Sequence, residues 1–332
     1  MDIFLQQIIN GLTTGSVYAI VALGYTMVYG VIQLINFAHG EVVMIGAMVA
    51  FTVIMAIVGA GTPLPPIVIV LAGVLAAIPI CMTVGFLLER LAYRPLRHAP
   101  RLAPLITAIG MSIILQQLAL LIWGRDPRAF PQIMENATFI LGGAAISSVQ
   151  IAIILMSVVL MAALTWFVYR TRFGIAMRAT AENVSVAGLM GIDANRVIAG
   201  TFIIAAGLGA VAGVMYGTYY GIAHYTMGFI LGLKAFSAAV LGGIGNLAGA
   251  MLGGILLGLV EALGTGYISE FTDLCKWPIV GSEGMLMERC AADGHVVLFG
   301  SNYQDVFAFL VLILVLVFRP SGLLGERVSE RA

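Results

Sequence analysis

The chain has 332 residues, of which 61% are hydrophobic and 10% charged, where a soluble domain carries about 25% charge. Mean hydropathy is +1.06; a soluble core cannot absorb that much apolar surface, so lipid must be the solvent. The formal net charge is +0, which argues against nucleic acid as a partner.

A bilayer span needs roughly 20 apolar residues. The runs Ile8 to Tyr29, Gly40 to Val58 and Leu64 to Leu88 predict the first three, with the more polar Gly30 to His39 bridging the first two. A basic loop, Arg90 to Arg101, follows. Ala103 to Trp123 predicts a fourth span, Gly124 to Ser148 a loop, and Val149 to Tyr169 a fifth span. The polar stretch Thr171 to Asn195 is too long for a turn. Val197 to Tyr220 and Leu247 to Tyr267 predict full spans, with a shorter run, Met227 to Gly243, between them, interrupted by Lys234. The polar loop Ile268 to Asn302 precedes a last span, Val306 to Phe318. The predicted fold is all-α: one transmembrane domain, 1–332, of about eight spans, some broken or re-entrant. The N-terminus lacks the basic region of a cleavable signal peptide.

Eleven of the sixteen Lys and Arg fall in three places, 90–101, 170–196 and 319–331. Basic residues concentrate on the cytoplasmic side of membrane proteins, so these segments are predicted inside, and 124–148 and 268–302 outside. The latter loop agrees: five acids against Lys276 and Arg289. The N-terminus is then external if Gly30 to His39 is an inner connection, and internal if that stretch re-enters.

No Walker A, H-E-x-x-H, C-x-x-C or G-x-S-x-G pattern occurs, so the sequence offers no ATP site of its own, metal centre or catalytic nucleophile. No cofactor is expected. Three constellations carry the polar chemistry. Asn36, His39 and Glu41 crowd the start of an apolar span. Lipid cannot solvate them, so they either line a polar path or satisfy the backbone of a broken helix. Lys234 is costly in an apolar run unless it pairs, with Glu41 or Glu261, or reaches the interface. The glycines at 242, 243, 245, 249, 253 and 254 permit a sharp connection and close helix packing.

The third constellation is 171–195. It opens with Arg170, Arg172 and Arg178 and predicts a short helix from Ala181 to Met190. Gly191 stops that helix and Asp193 caps the next span. Val184, Ala187, Gly188 and Gly191 follow i, i+3, i+4, i+7 spacing and form a small-residue stripe. Such a helix either docks in a groove of a cytoplasmic partner or lies on the lipid as a connector. In the outer loop, Cys275 and Cys290 face an oxidising compartment and are expected to pair. Closing that loop would contribute roughly 3 kcal/mol in the chain-entropy view; two free thiols are the alternative. Cys81 reads as a small buried hydrophobe.

Several stretches, "NGLTTGSVYAIVALGYTMVYGVIQLINFAHGEVVMIGA", "ERLAYRPLR", "ITAIGMSIILQ", "MRATAENVSVAGLMGIDANRVIAGTF", "GLKAFSAAVLGGIGNLAGAMLGG" and "FRPSGLLG", are similar to the permease subunits of bacterial branched-chain amino acid ABC importers of the Liv type. The likeness runs from about Gln6 to Gly325. It implies a multi-pass protein of the bacterial inner membrane, not an enzyme, working with cytoplasmic ATP-binding subunits, a second permease subunit and a periplasmic substrate-binding protein. It also implies that Arg172 to Asp193, with Arg172, Arg178, Glu182, Val184, Ala187, Gly188, Gly191 and Asp193, couples to the ATPase. Asn36, His39, Glu41 and Lys234 are then expected near the substrate path. About 30 residues, roughly Thr272 to Leu298, depart from the family pattern. A competing class, an ion-coupled secondary transporter or channel, would use Glu41 and Lys234 for coupling.

Overall fold

The computed structural model describes residues 2–61, 63–97, 99–100, 102–133, 137–272, 275 and 303–325. In chain order the helices are α1 (Asp2–Ile32), α2 (His39–Gly59), α3 (Pro66–Leu87), α4 (Leu102–Trp123), α5 (Ser148–Arg170), α6 (Arg172–Glu182), α7 (Val184–Leu189), α8 (Ala194–Tyr220), α9 (Met227–Gly242), α10 (Leu247–Phe271) and α11 (Gln304–Phe318). α3 continues through a π-turn, Leu88–Tyr93, into a single tight turn, Arg94–Leu96, that ends the rod at "RPLR". Among the described residues seven helices are long and apolar enough to cross a membrane, and Met227–Gly242 and Gln304–Phe318 are shorter apolar helices. The protein is an all-α polytopic bundle. α10 runs on to Phe271, so the loop expected from Ile268 starts later; most of it lies outside the described residues.

α1 is the central pillar, buried along most of its length. Its Gly11, Gly15 and Ala19 recur every four residues and form a flat stripe against Gly254 and Gly258 of α10. A Cβ on Gly258 would stand 2.3 Å from Gly15 Cα, and one on Gly254 2.4 Å from Ala19 Cα. Backbones meet this closely only where side chains are absent; in lipid, with no hydrophobic drive between helices, such contact supplies the packing. α2, α3 and α8 form a second packed group, while α3, α4 and α5 are the least buried of the long helices. Leu121, Ile122, Leu155 and Val159 are exposed on α4 and α5 and give them an apolar outer surface.

Side chains and short strands tie the ends together. On one side β1 (Arg128–Ala129) pairs antiparallel with β4 (Ile222–Ala223), and β2 (Thr138–Leu141) with β3 (Ala144–Ser147). The amide of Gln6 brackets Ala145, donating to its carbonyl at 3.0 Å and accepting from its N–H at 2.8 Å. The start of α1 therefore shares a side with the 124–148 loop, the outer side by the charge rule. On the opposite side Arg97 donates to Asn195 at 2.7 Å and pairs with Glu89, which joins the first two basic clusters. The C-terminal segment returns to the same side: Leu323 and Leu324 donate to the carbonyls of Leu241 and Gly242, at 2.9 and 3.0 Å.

Candidate functional site

The helix break between α1 and α2 is built by one residue in the left-handed region. Gln33 has φ 53°, a conformation that ends a helix and that glutamine adopts only at a cost. Residues 33–38 are not helical, and the chain folds back so that α2 begins beside α1, deep in the bundle. His39 sits against Gly24: a Cβ there would overlap the imidazole at 2.2 Å. The Tyr25 ring meets His39 edge-on at 4.9 Å. Asn36 accepts from the Tyr93 hydroxyl at 2.9 Å, which ties the break to the π-turn. Glu41 accepts through Oε1 from Ser112 at 3.0 Å and Gln116 at 2.7 Å, both on α4. Exposure is 4% for Asn36, 2% for His39 and 0% for Glu41. Among the described residues His39 Nε2 and Glu41 Oε2 have no hydrogen-bond partner. The structure thus buries all three expected residues inside the bundle, each on partners of its own, rather than on an open wall.

Lys234 belongs to a different cluster. Its ammonium lies 2.7 Å from Glu261 of α10 and 2.6 Å from Asp305 of α11. Of the two partners expected from sequence, Glu41 and Glu261, the geometry selects Glu261, because Glu41 is already engaged by α4. The other oxygen of Glu261 accepts from the Tyr18 hydroxyl of α1 at 3.0 Å, and Lys234 lies 5.8 Å from the Tyr18 ring centre. Four helices therefore meet at one charge. Sequence reasoning missed Asp305 and Tyr18. The signal for Asp305 was its place as the one acid of this helix, followed by apolar residues alone to Phe318. Tyr18 gave no signal, because tyrosines are scattered through the spans. The glycines between α9 and α10 have the packing role expected: a Cβ on Gly242 would stand 1.9 Å from the Gly249 carbonyl oxygen. Among the described residues no cluster of three or more metal-ligating side chains occurs.

The 171–195 segment forms two short helices instead of the single one expected from Ala181 to Met190. Asn183 turns extended between them, and its side-chain oxygen accepts from Ser185 and Val186 at 3.0 Å each. That side chain offers the backbone an alternative to continued helix, so the rod breaks there. Thr171 caps α6 through Gly174, and Asp193 caps α8, as expected, through Asn195 and Arg196. Gly191 has φ +82° and ends α7. The small-residue stripe does not form one face. Ala187 is buried against the bundle, while Val184, Gly188 and Gly191 are exposed. The projecting surface is a larger apolar tip, with Leu189 86% and Met190 80% exposed. Arg172, Arg178 and Glu182 are exposed on the flank of α6.

Cys81 is a buried free thiol. Cys275 is disulfide-bonded; Cys290, its expected partner, lies outside the described residues.

Nine apolar helices among the described residues, with charged side chains paired at helix junctions, define a multi-pass membrane protein. The chain belongs to the family described as "Branched-chain amino acid transport system / permease component", whose pattern matches residues 7–316. It is 45% identical to the high-affinity branched-chain amino acid transport system permease protein BraD of Pseudomonas aeruginosa, over 99% of this chain and 98% of that one. It is 43% identical to the LivH permease of Escherichia coli K12, over 99% and 97%. A more distant likeness, 28% over 49% of this chain and 41% of the relative, reaches the autoinducer 2 import system permease protein LsrC of Escherichia coli O9:H4. No solved structure matches the chain.

Proposed function

We propose that this chain is the membrane-spanning subunit of an ATP-driven importer that carries leucine, isoleucine and valine across a bacterial inner membrane. The observation that carries this reading is end-to-end likeness to permeases named for that transport. ATP is hydrolysed on separate cytoplasmic subunits. The α6–α7 segment supports this division, since a carrier that works alone has no use for a structured apolar tip on its basic face. Leu189 and Met190 enter the ATPase groove; the exposed Val184, Gly188 and Gly191 border them, and Ala187 fixes the segment to the bundle. Arg172, Arg178, Glu182 and Asp193 hold its flank and its base.

A second permease subunit completes the substrate path, and a periplasmic substrate-binding protein loads it from outside. Asn36, His39 and Glu41 set the position of α2 beside that path, and Lys234 locks α9 to α10 and α11. Cys275 and Cys290 close the outer loop. The test is uptake of labelled leucine into proteoliposomes holding the chain with its neighbouring ATPase subunits and binding protein. Uptake should require lumenal ATP and the binding protein. Uptake driven by an ion gradient without ATP would overturn the reading and favour an ion-coupled carrier.

A further inference from the structure

The inner end of α5 carries a cleft of which the transport reading uses only Arg178, on its rim. Met161, Thr165, Trp166, Tyr169 and Arg170 of α5 and Met251 of α10 line it, around about 470 Å³ of open space. Its walls are apolar, and Trp166 is 64% exposed on them. Its rim is cationic. Arg170 ends α5, and Arg178 of α6 lays its guanidinium over the Tyr169 ring, 5.2 Å from the centre. Among the described residues neither arginine forms a salt bridge.

We propose that this cleft binds an anionic phospholipid of the inner leaflet, with its phosphate at Arg170 and Arg178 and an acyl chain along Trp166, Met161 and Met251. Three observations support it, given that the basic loops face the cytoplasm. Among the described residues the two guanidinium groups form no salt bridge, the nearest acid along α6 being the exposed Glu182 one turn on from Arg178, and basic pockets between helices on the cytoplasmic side suit anionic headgroups. Trp166 and Tyr169 stand where aromatic rings mark the headgroup level. The cleft also continues the outward face of α5, where Leu155, Val158 and Val159 are exposed, so an acyl chain entering it never leaves apolar surface. A zwitterionic lipid would bring an ammonium back to the rim. The bound headgroup would bridge α5 to α6 at the root of the cytoplasmic segment.

The test uses the purified transporter complex in phosphatidylcholine vesicles, with Trp166 fluorescence obtained as the difference between wild type and Trp166→Phe. The probes are phosphatidylglycerol and phosphatidylcholine carrying brominated acyl chains, which quench tryptophan on contact. Brominated phosphatidylglycerol should quench Trp166 at a several-fold lower mole fraction than brominated phosphatidylcholine. Arg170→Gln with Arg178→Gln should erase that preference while both lipids still quench, and added inorganic phosphate should not displace the lipid. Equal quenching by both lipids in the wild type would overturn the proposal. So would absence of quenching by either, the result expected if a second subunit covers the cleft. Transport activity is not part of the readout, so failure here leaves the importer reading standing, and the converse holds.

Discussion

Replacing Lys234 should destabilise the bundle more than any other single polar substitution in it. The lysine and Glu261 side chains are each 6% exposed, and the ammonium is held 2.7 Å from Glu261 and 2.6 Å from Asp305. Lys234→Met keeps the length of the side chain but leaves the Glu261 carboxylate buried with only the Tyr18 hydroxyl. Removing one partner of a buried pair costs about 3–5 kcal/mol, mostly the penalty of the stranded charge. Glu261→Gln costs less, about 1–3 kcal/mol, because Lys234 keeps Asp305. Asp305→Asn costs least, since that side chain is 41% exposed and water already screens it. The double variant, Lys234→Met with Glu261→Gln, leaves only the half-exposed Asp305 carboxylate without its lysine and should cost less than the sum of the singles by about 1–3 kcal/mol. The assay is reversible unfolding of the purified chain in mixed micelles by added dodecyl sulfate, followed by ellipticity. Additive costs in the cycle, or a Lys234→Met cost below about 1 kcal/mol, would refute the claim that this lysine is the electrostatic pin of the four helices.

Glu41→Gln should keep folded yield, since an amide oxygen still accepts from Ser112 and Gln116, and should slow leucine uptake; Glu41→Leu strands both donors and should lose about 1–3 kcal/mol as well, and wild-type uptake by both variants would remove Glu41 from the functional residues. Gly258→Val should abolish folded yield in size-exclusion profiles, because its Cβ would stand 2.3 Å from Gly15 Cα, whereas Gly110→Ala, with nothing within 4 Å, should be neutral or slightly stabilising; equal yields would deny the close contact of α1 and α10. Gly188→Trp should leave stability unchanged, since the position has open space around it, yet block co-purification of the ATPase and leucine uptake; normal uptake would make α6–α7 a connector lying on lipid. On intact cells a membrane-impermeant maleimide should label neither Cys275 nor Cys290 until a reductant is added, and labelling of both without reductant would exclude the disulfide.

The spans were legible because lipid demands long uninterrupted apolar runs, and the turn at Gly191 and cap at Asp193 because their chemistry is local. The inward or outward role of each helix was not. In a soluble protein one polar face betrays the exposed side, but here the outer α4 and the buried α1 both scatter polar residues, Ser112, Gln116 and Gln117 in one and Asn10, Thr13, Thr14 and Ser16 in the other, among apolar ones. One trace of the difference is the small-residue repeat Gly11, Gly15, Ala19. The break at Asn183 was missed because Asn is tolerated within helices, and only its side chain's reach to Ser185 and Val186 makes it a cap. The partners of Lys234 lie 27 and 71 positions away along the chain, a distance no local pattern bridges.

Both sealed polar clusters hang on α1. Tyr18 holds the Glu261–Lys234–Asp305 group, and Gly24 with Tyr25 seats His39 at the start of α2. Six residues separate Tyr18 from Gly24, about 9 Å along a helix, so a shift of α1 must be felt at both. The glycine contact with α10 opposes such a shift, because sliding either helix drives side chains into space that only hydrogen atoms fill. α4 and α5 are held differently: Glu41 takes two neutral donors from α4, and Gln150 of α5 reaches Asn10 at 3.1 Å. The neutral Gln150–Asn10 bond contributes about 1 kcal/mol and each bond to the Glu41 carboxylate roughly 1.5–3 kcal/mol, and none of them is a buried ion pair. The division of strong and weak contacts therefore makes α1, α9 and α10 the fixed unit. Under the proposed function, α5, which leads directly into α6–α7, is the element that would carry motion of the cytoplasmic tip into the membrane.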